Sequence, residues 1–423
     1  MNINEAMEYI SSFDRLGKPV TDLNRMIALL SLLGNPHKDL KCIHIAGTNG
    51  KGSVAQMCNE ILIHAGYRVG MYTSPYMTHY SDRIRFNNDN IDLDILCEIT
   101  EHIISVLDNV EYKSSFSQFE ISTAIAFIYF KKMRCDVVVL ETGIGGRLDC
   151  TNVINAPIIS IITSISHDHN NILGSTLTEI ASHKAGIIKK HSPCVLSAYN
   201  PDEVVDIVKS ECELCHSLFV IPELTNIHLF RSDIFGSEFY YNGNSYSLKM
   251  IGRHQIINAI SVIEAMKFVC DNGFAISYDD IYFGINNARV PARGEVLSED
   301  PLIILDGAHN SAGMKSLTDI IKKSNKKQCI AIIGMVKDKN VRESISQIVP
   351  YVSDFICVEG FSPRAVSADD LVKVIKSFKK NAFSVYDIDL AVKEAVNLVN
   401  DDGMLVICGS LFLASVARKI FVE

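Results

Sequence analysis

The chain has 423 residues, 48% of them hydrophobic and 21% charged, enough for two or three domains with separate cores. That apolar share excludes disorder as the main description. With 40 Lys and Arg against 49 Asp and Glu the formal charge is −9, which excludes a broad basic nucleic-acid face yet leaves room for a local cationic pocket.

Residues 1–15 mix acidic and apolar positions without a basic start, which predicts an amphipathic helix and not a signal peptide. Apolar runs follow at 41–46, 67–72, 136–140 and 157–163, alternating with helical periods at 53–65, 93–107 and 120–132. Near-continuous apolar strands of this kind belong to parallel sheets buried on both faces, so the fold class is α/β. At 219–249 short alternating runs flank Asn242-Gly243, predicting a small antiparallel sheet attached to the first domain. A Pro- and charge-containing stretch at 288–300 interrupts the pattern. Strands at 302–305, 329–333, 355–358 and 404–407 then alternate with helices at 311–323, 367–378 and 390–399, as in a smaller Rossmann-like domain. The expected domains are 1–292 and 297–423. No apolar run approaches the roughly 18 residues of a membrane span. The 12 cysteines mostly stand singly in apolar runs, the pattern of buried thiols in a reducing cytoplasm. Cys212 and Cys215-His216 match a covalent-haem spacing, but they close a helical pattern that starts at Pro201 and read as packing residues.

Three strand ends carry candidate chemistry. The first runs into Gly47-Thr48-Asn49-Gly50-Lys51-Gly52-Ser53 and opens a helix, the context of a phosphate-binding loop. The glycines let backbone amides turn toward phosphates, Lys51 supplies a cation, and Ser53 offers a hydroxyl to a metal. Gly52 stands where the usual pattern has Ser or Thr, so the generic motif fails and a plain glycine-rich turn is the competing reading. The second strand ends at Glu141, which is either a Mg²⁺ ligand or a solvated strand-end acid. The third runs into Asp168-His169, a pair able to coordinate or orient a metal.

In this order the motifs resemble the folylpolyglutamate and dihydrofolate synthases of the Mur ligase superfamily. The resemblance continues through Tyr72-Thr73-Ser74-Pro75, Arg83-Ile84, Phe119-Glu120, Glu141 to Asn152, Leu173-Gly174, Lys184 to Ile187, Gly252-Arg253-His254-Gln255 with Asn258, Asp306 to Asn310 and Gly409-Ser410. It implies a Mur-ligase-type central domain with a phosphate loop and small antiparallel sheet, followed by the smaller Rossmann-like domain. It also implies ATP-dependent ligation of L-glutamate to a folate, with dihydropteroate as a further substrate in dual-function members, through an acyl phosphate.

Carried over residue by residue, Gly47 to Ser53, Asn258, Arg293, Asp306 and His309 would hold ATP. Lys51, Lys184 and His169 would act in catalysis, and Ser53, Ser74, Glu141 and His169 would hold Mg²⁺. Lys184 matches a lysine often carbamoylated in this superfamily, which would create a second Mg²⁺ site. Ser117, Phe119 and Asp149 would contact the pterin, and Ser410 the glutamate. The sequence departs from the family pattern at Tyr76 (for His), Cys150 (for Ala), His183 (for Glu) and Ala292 (for Gly), and an early Gly-rich element survives only as residues 15–25. A cytoplasmic monomer taking small molecules, with no nucleic-acid or membrane partner, is expected. The alternatives are another Mur-type amide ligase, against which stands the short segment before Gly47, and a non-catalytic ATP-binding module.

Overall fold

The computed structural model describes residues 1–13, 22–108 and 110–422, with Ser114 described by its backbone alone. Most of the early element at 15–25 lies outside the described residues. The predicted N-terminal helix is present as Ile3–Ser12, started by a capping box between Asn2 and Glu5.

The chain forms two compact units. The first comprises Met1–Ile165, Leu173–Pro222 and Asn258–Ile285; the second comprises Ser166–Ile172, Glu223–Ile257 and Asn286–Glu423.

In the first unit β1 (Cys42–Ala46), β2 (Val69–Tyr72), β3 (Ile84–Phe86), β4 (Asp89–Asn90), β5 (Val137–Glu141), β6 (Ile159–Ile162), β7 (Cys194–Leu196) and β8 (Phe219–Val220) form one sheet. Its order is β4-β3-β2-β5-β1-β6-β7-β8. Pairing is parallel except at the β2–β3 and β3–β4 edge. All residues of β1, β5 and β6 are buried, as expected of their near-continuous apolar runs. The register pairs Ile45 with Glu141 and Ala46 with Ile162, so the carboxyl ends of three central strands lie side by side. That is where α/β sheets place their ligands. The helices Lys51–His64 and Gln118–Lys132 pack onto this sheet with most of their residues buried.

In the second unit β9 (Ile227–Asp233), β10 (Gly236–Tyr241) and β11 (Asn244–Leu248) form an antiparallel sheet. Asn242 and Gly243, both at positive φ, make the predicted tight hairpin. The other sheet contains β12 (Glu295–Glu299), β13 (Leu302–Leu305), β14 (Gln328–Ile333), β15 (Asp354–Cys357), β16 (Asn381–Ser384) and β17 (Gly403–Cys408). Its order is β12-β13-β17-β14-β15-β16, parallel except for β12.

By its contacts the three-stranded sheet groups with the second unit. Lys323 donates to Ser232 Oγ, and Ile234 packs on the core that contains Leu317 and Ile320. A hairpin signal states that two strands pair; it carries no information about which neighbour covers them. The cysteines are all free thiols, and Cys212 lies in the same core cluster as Cys194. Among the described residues no helix is long and apolar enough to cross a membrane.

Candidate active site

β1 runs out at Ala46 into the glycine loop. Gly47 has a φ of +146°, and a Cβ there would lie 1.8 Å from Thr163 Oγ1, so only glycine fits. Gly50, at φ +94°, caps the helix Lys51–His64, and a Cβ on it would meet Asn258 Oδ1 at 2.7 Å. The loop is tied to the β6 end: Thr48 N donates to Ser164 O at 2.8 Å, and Ser164 Oγ to Asn49 O at 3.2 Å. Lys51 Nζ folds back on the loop, donating to Gly47 O at 3.2 Å and Thr48 O at 3.3 Å. Lys184 Nζ, from the last turn of the helix Leu177–Ala185, reaches the same Gly47 oxygen at 2.6 Å. Two ammonium groups therefore converge beside a helix N-terminus, itself a site of partial positive charge.

Glu141 ends β5 and is 4% exposed; its Oε2 accepts from Ser74 N at 3.3 Å. A Cβ on Gly52 would lie 3.7 Å from that oxygen, which puts the carboxylate against the first turn after the loop. In that turn Ser53 Oγ is buried without a hydrogen-bond partner. An orphaned hydroxyl near a carboxylate is a donor set of hard oxygens, the type that suits Mg²⁺. Among the described residues no three His, Cys, Asp or Glu side chains group as a complete metal cage. Mg²⁺ needs only one or two carboxylates, because it keeps waters and substrate phosphates as ligands.

Beyond Glu141 the chain turns through residues 142–152. Asp149 closes this turn, accepting from Gly143 N (2.8 Å) and Ile144 N (3.1 Å) on one oxygen and from Thr151 N (3.0 Å) and Thr151 Oγ1 (2.6 Å) on the other. Burial raises its carboxyl, against the pull of these hydrogen bonds. Phe119 abuts the turn: a Cβ on Gly143 would lie 2.7 Å from its ring. Ser117 caps the helix that carries Phe119, paired reciprocally with Glu120. Tyr76 stacks on the buried Arg83, whose guanidinium stands 5.0 Å from its ring.

In the second unit β13 ends at Asp306, whose carboxylate accepts from Gly294 N and Ala308 N, each at 2.7 Å. Burial raises this carboxyl, while the Arg293 guanidinium opposes the rise. Ala292 takes φ +54° where the family pattern has glycine; its N–H donates to Glu295 at 2.9 Å and its carbonyl accepts from Gly307 N at 2.8 Å. Ser410 follows the neighbouring strand β17, and its Oγ accepts from Phe412 N at 3.1 Å. Gly409 N donates to Ala308 O at 2.9 Å, joining the two strand ends. His309 Nδ1 faces Gly307 O at 2.7 Å and its Nε2 faces Asp168 at 3.5 Å. Asp168 also receives Asn310 Nδ2 at 3.1 Å and the ammonium of Lys339. Burial alone would raise the Asp168 carboxyl; the His309 hydrogen bond and the nearby Lys339 charge instead hold it well below the usual carboxylate range. His169, beside it, sits at φ +52°.

Residues 45–266 match the family described as Mur ligase middle domain, and residues 292–411 match the Mur ligase glutamate ligase domain. A Bacillus subtilis dihydrofolate synthase/folylpolyglutamate synthase is 34% identical over 94% of each chain. This chain belongs to the folylpolyglutamate synthase/dihydrofolate synthase family of Mur ligases. A folylpolyglutamate synthase from Lacticaseibacillus casei is 31% identical over 99% of this chain and 98% of its own. Among solved structures, E. coli FolC in complex with DHPP and ADP superposes with a TM-score of 0.88 at 26% identity, covering 99% of this chain and 97% of that one.

In this Mur ligase the first unit brings together Gly47 to Ser53, Ser74, Glu141, Lys184 and Asn258, with Ser117, Phe119 and Asp149 along the adjoining turn. The second unit gathers His169, His309, Asp306, Arg293 and Ser410. Two residues escaped the sequence reading. Thr163 forms the seat beneath Gly47, and its only signal is a hydroxyl at the end of a buried strand. Lys339 sits in a short charged run, Lys337-Asp338-Lys339, separated by three residues from the end of β14; charge in the loop that follows a buried parallel strand was the available sign.

Proposed function

We propose that this chain ligates L-glutamate to a reduced folate at the expense of ATP, and that dihydropteroate is tested as its second acceptor. The observation that carries the reading is the convergence of Lys51 and Lys184 on the Gly47 carbonyl, next to Glu141 and the orphaned Ser53 hydroxyl.

The chemistry asks an anionic carboxylate to approach an anionic triphosphate. A folate carboxylate oxygen attacks the γ-phosphorus; the bond to the β-phosphate oxygen breaks, leaving ADP and an acyl phosphate. The glutamate amine then attacks the acyl carbon, loses its proton, and expels inorganic phosphate as the amide forms. Cations and fixed positions supply most of what this requires. The loop amides with Lys51 take the β/γ-phosphates, and Lys184 faces the acyl phosphate. Arg293 takes nucleotide phosphate, Asn258 the adenine side, and Asp306, His309 and Ser410 act on the nucleotide and glutamate side. Ser53, Ser74, Glu141 and His169 would hold Mg²⁺, whose charge offsets the repulsion between carboxylate and phosphates. Asp149, with its oxygens engaged inside its own turn, holds Gly143 and Ile144 against Phe119, so its part in pterin binding is to shape the wall. Lys184 acts either as an ammonium facing the acyl phosphate or, carbamoylated, as an oxygen ligand of a second Mg²⁺, and His183 standing where the family carries an acid removes a charge beside it. The domain division 1–292 and 297–423, a cytoplasmic location and a monomeric state complete the proposal.

The test is phosphate release from ATP with Mg²⁺ and L-glutamate, offering tetrahydrofolate and dihydropteroate in parallel. Lys51→Ala should lower turnover by on the order of 10²–10³-fold while leaving the circular dichroism spectrum unchanged. Release with neither acceptor would sink the folate reading.

A further inference from the structure

The Mg²⁺ reading needs His169 held in one orientation, and the second unit contains a device that does this. Asp168 Oδ1 accepts from the backbone N of His169 at 2.8 Å, which fixes the peptide plane leading into His169, and the His169 Nε2 stands 3.9 Å from the same oxygen; His169 itself takes φ +52°, a region uncommon for residues other than glycine. The same Oδ1 receives Lys339 Nζ, while Oδ2 receives Asn310 Nδ2 at 3.1 Å and faces His309 Nε2 at 3.5 Å. Both partners of the ion pair are nearly out of solvent, with Lys339 8% and Asp168 7% exposed. Exposed pairs of this kind contribute little, but removing one member of a buried pair leaves an uncompensated charge and forces its surroundings to rearrange. Lys339 is itself held by the turn after β14, where its N–H donates to Val336 O at 3.2 Å. Asn310 is likewise fixed, because its Oδ1 caps the helix Ser311–Lys323 through Gly313 N at 2.8 Å.

We propose that Lys339 is a positioning residue: through Asp168 it sets the backbone and imidazole of His169 for binding the divalent cation that accompanies the nucleotide. This rests on the assignment of His169 as a metal ligand. Groups that orient a ligand in this way change metal affinity by about 10–100-fold when removed. Asp168 also faces His309, which is placed on the nucleotide side, so the metal-specific effect is the loss of Mn²⁺ affinity beyond any loss of metal-free nucleotide binding.

The experiment is Mn²⁺ binding to the full chain, followed by electron paramagnetic resonance in the presence of a non-hydrolysable ATP analogue, with metal-free analogue binding measured separately. Lys339→Met and Asp168→Asn should each weaken Mn²⁺ by about 10–100-fold, and the double variant by no more than the worse single one, because both break one link. Lys339→Arg should restore binding to within about threefold, since a guanidinium also satisfies the carboxylate. Wild-type Mn²⁺ affinity in Lys339→Met, with His169→Ala weakened, would overturn the positioning role alone. Unchanged affinity in His169→Ala would overturn the ligand assignment beneath it. Asp168→Asn keeps the proposal open to refutation if the buried methionine prevents folding.

Discussion

Gly47 lies where a Cβ would collide with Thr163 Oγ1 at 1.8 Å, on a backbone at φ +146°. Gly52, five residues on, meets only Glu141 Oε2 at 3.7 Å. The two glycines therefore respond differently to the same substitution. Gly47→Ala should cost about 1–3 kcal/mol in chemical denaturation and abolish measurable ADP binding. Gly52→Ala should stay within about 0.5 kcal/mol of wild type, because a helical Cβ is compatible there. Equal stability of the two variants would contradict the steric reading. The pattern of glycines was plain in the sequence because positive φ is a local property. That Thr163 is the colliding group was not, because it directly follows a different strand, β6.

At the level of elements, β1 connects the core to the loop and carries a titratable group of its own. His44 is fully buried; its Nε2 lies 2.8 Å from Thr151 Oγ1, whose hydroxyl donates to Asp149, so His44 Nε2 carries the proton and Nδ1 has no partner. Burial lowers its pKa from 6.5 to about 3, with the Lys189 charge acting in the same direction. A depressed histidine binds fewer protons folded than unfolded below pH 6.5. Stability is then full above that value and falls as the solution is acidified, by up to about 1.4 kcal/mol per pH unit. Urea midpoints measured between about pH 7.5 and 5 should decline, and His44→Gln should flatten the decline. An identical slope in the variant would assign the loss elsewhere.

The same strand illustrates what periodicity can reach. β1, β5 and β6 were visible as near-continuous apolar runs since both their faces are covered. The strands at or next to the sheet edges, β3, β4, β7, β8, β12 and β16, were not: they have two to five residues and several are partly exposed, so they carry little pattern. The 19-residue helix Arg253–Asp271 went unread for the opposite reason. It is buried on nearly every side, from Ile256 to Val269, and a helix without a polar face has no amphipathic period to detect.

For the molecule as a whole, a net charge of −9 coexists with a loop on which two lysines converge, so the anion-binding character is local. A ligand that binds only the folded chain stabilises it in proportion to its occupancy. A Mg²⁺–nucleotide complex at about 100 times its Kd should raise the unfolding free energy by about 2.7 kcal/mol, and Lys51→Ala should lose that gain in thermal melts. A wild-type chain whose melting temperature ignores nucleotide would count against the phosphate-loop assignment.

The amino-acid sequence by itself determined the central parallel strands, the helix-opening glycine loop, the acid at the end of β5 and the family to which these motifs belong. Each of those is written in side-chain period or in backbone sterics, which act over a few residues. Only the tertiary structure decided that Thr163 seats Gly47, that Lys184 and Lys51 share one carbonyl, that Asp149 is engaged by its own turn, and that the three-stranded sheet packs in the second unit. Lys339 and Asp168 are 171 residues apart in the chain. Pairs of that kind form only when separate elements pack, and no local pattern records which charge will meet which.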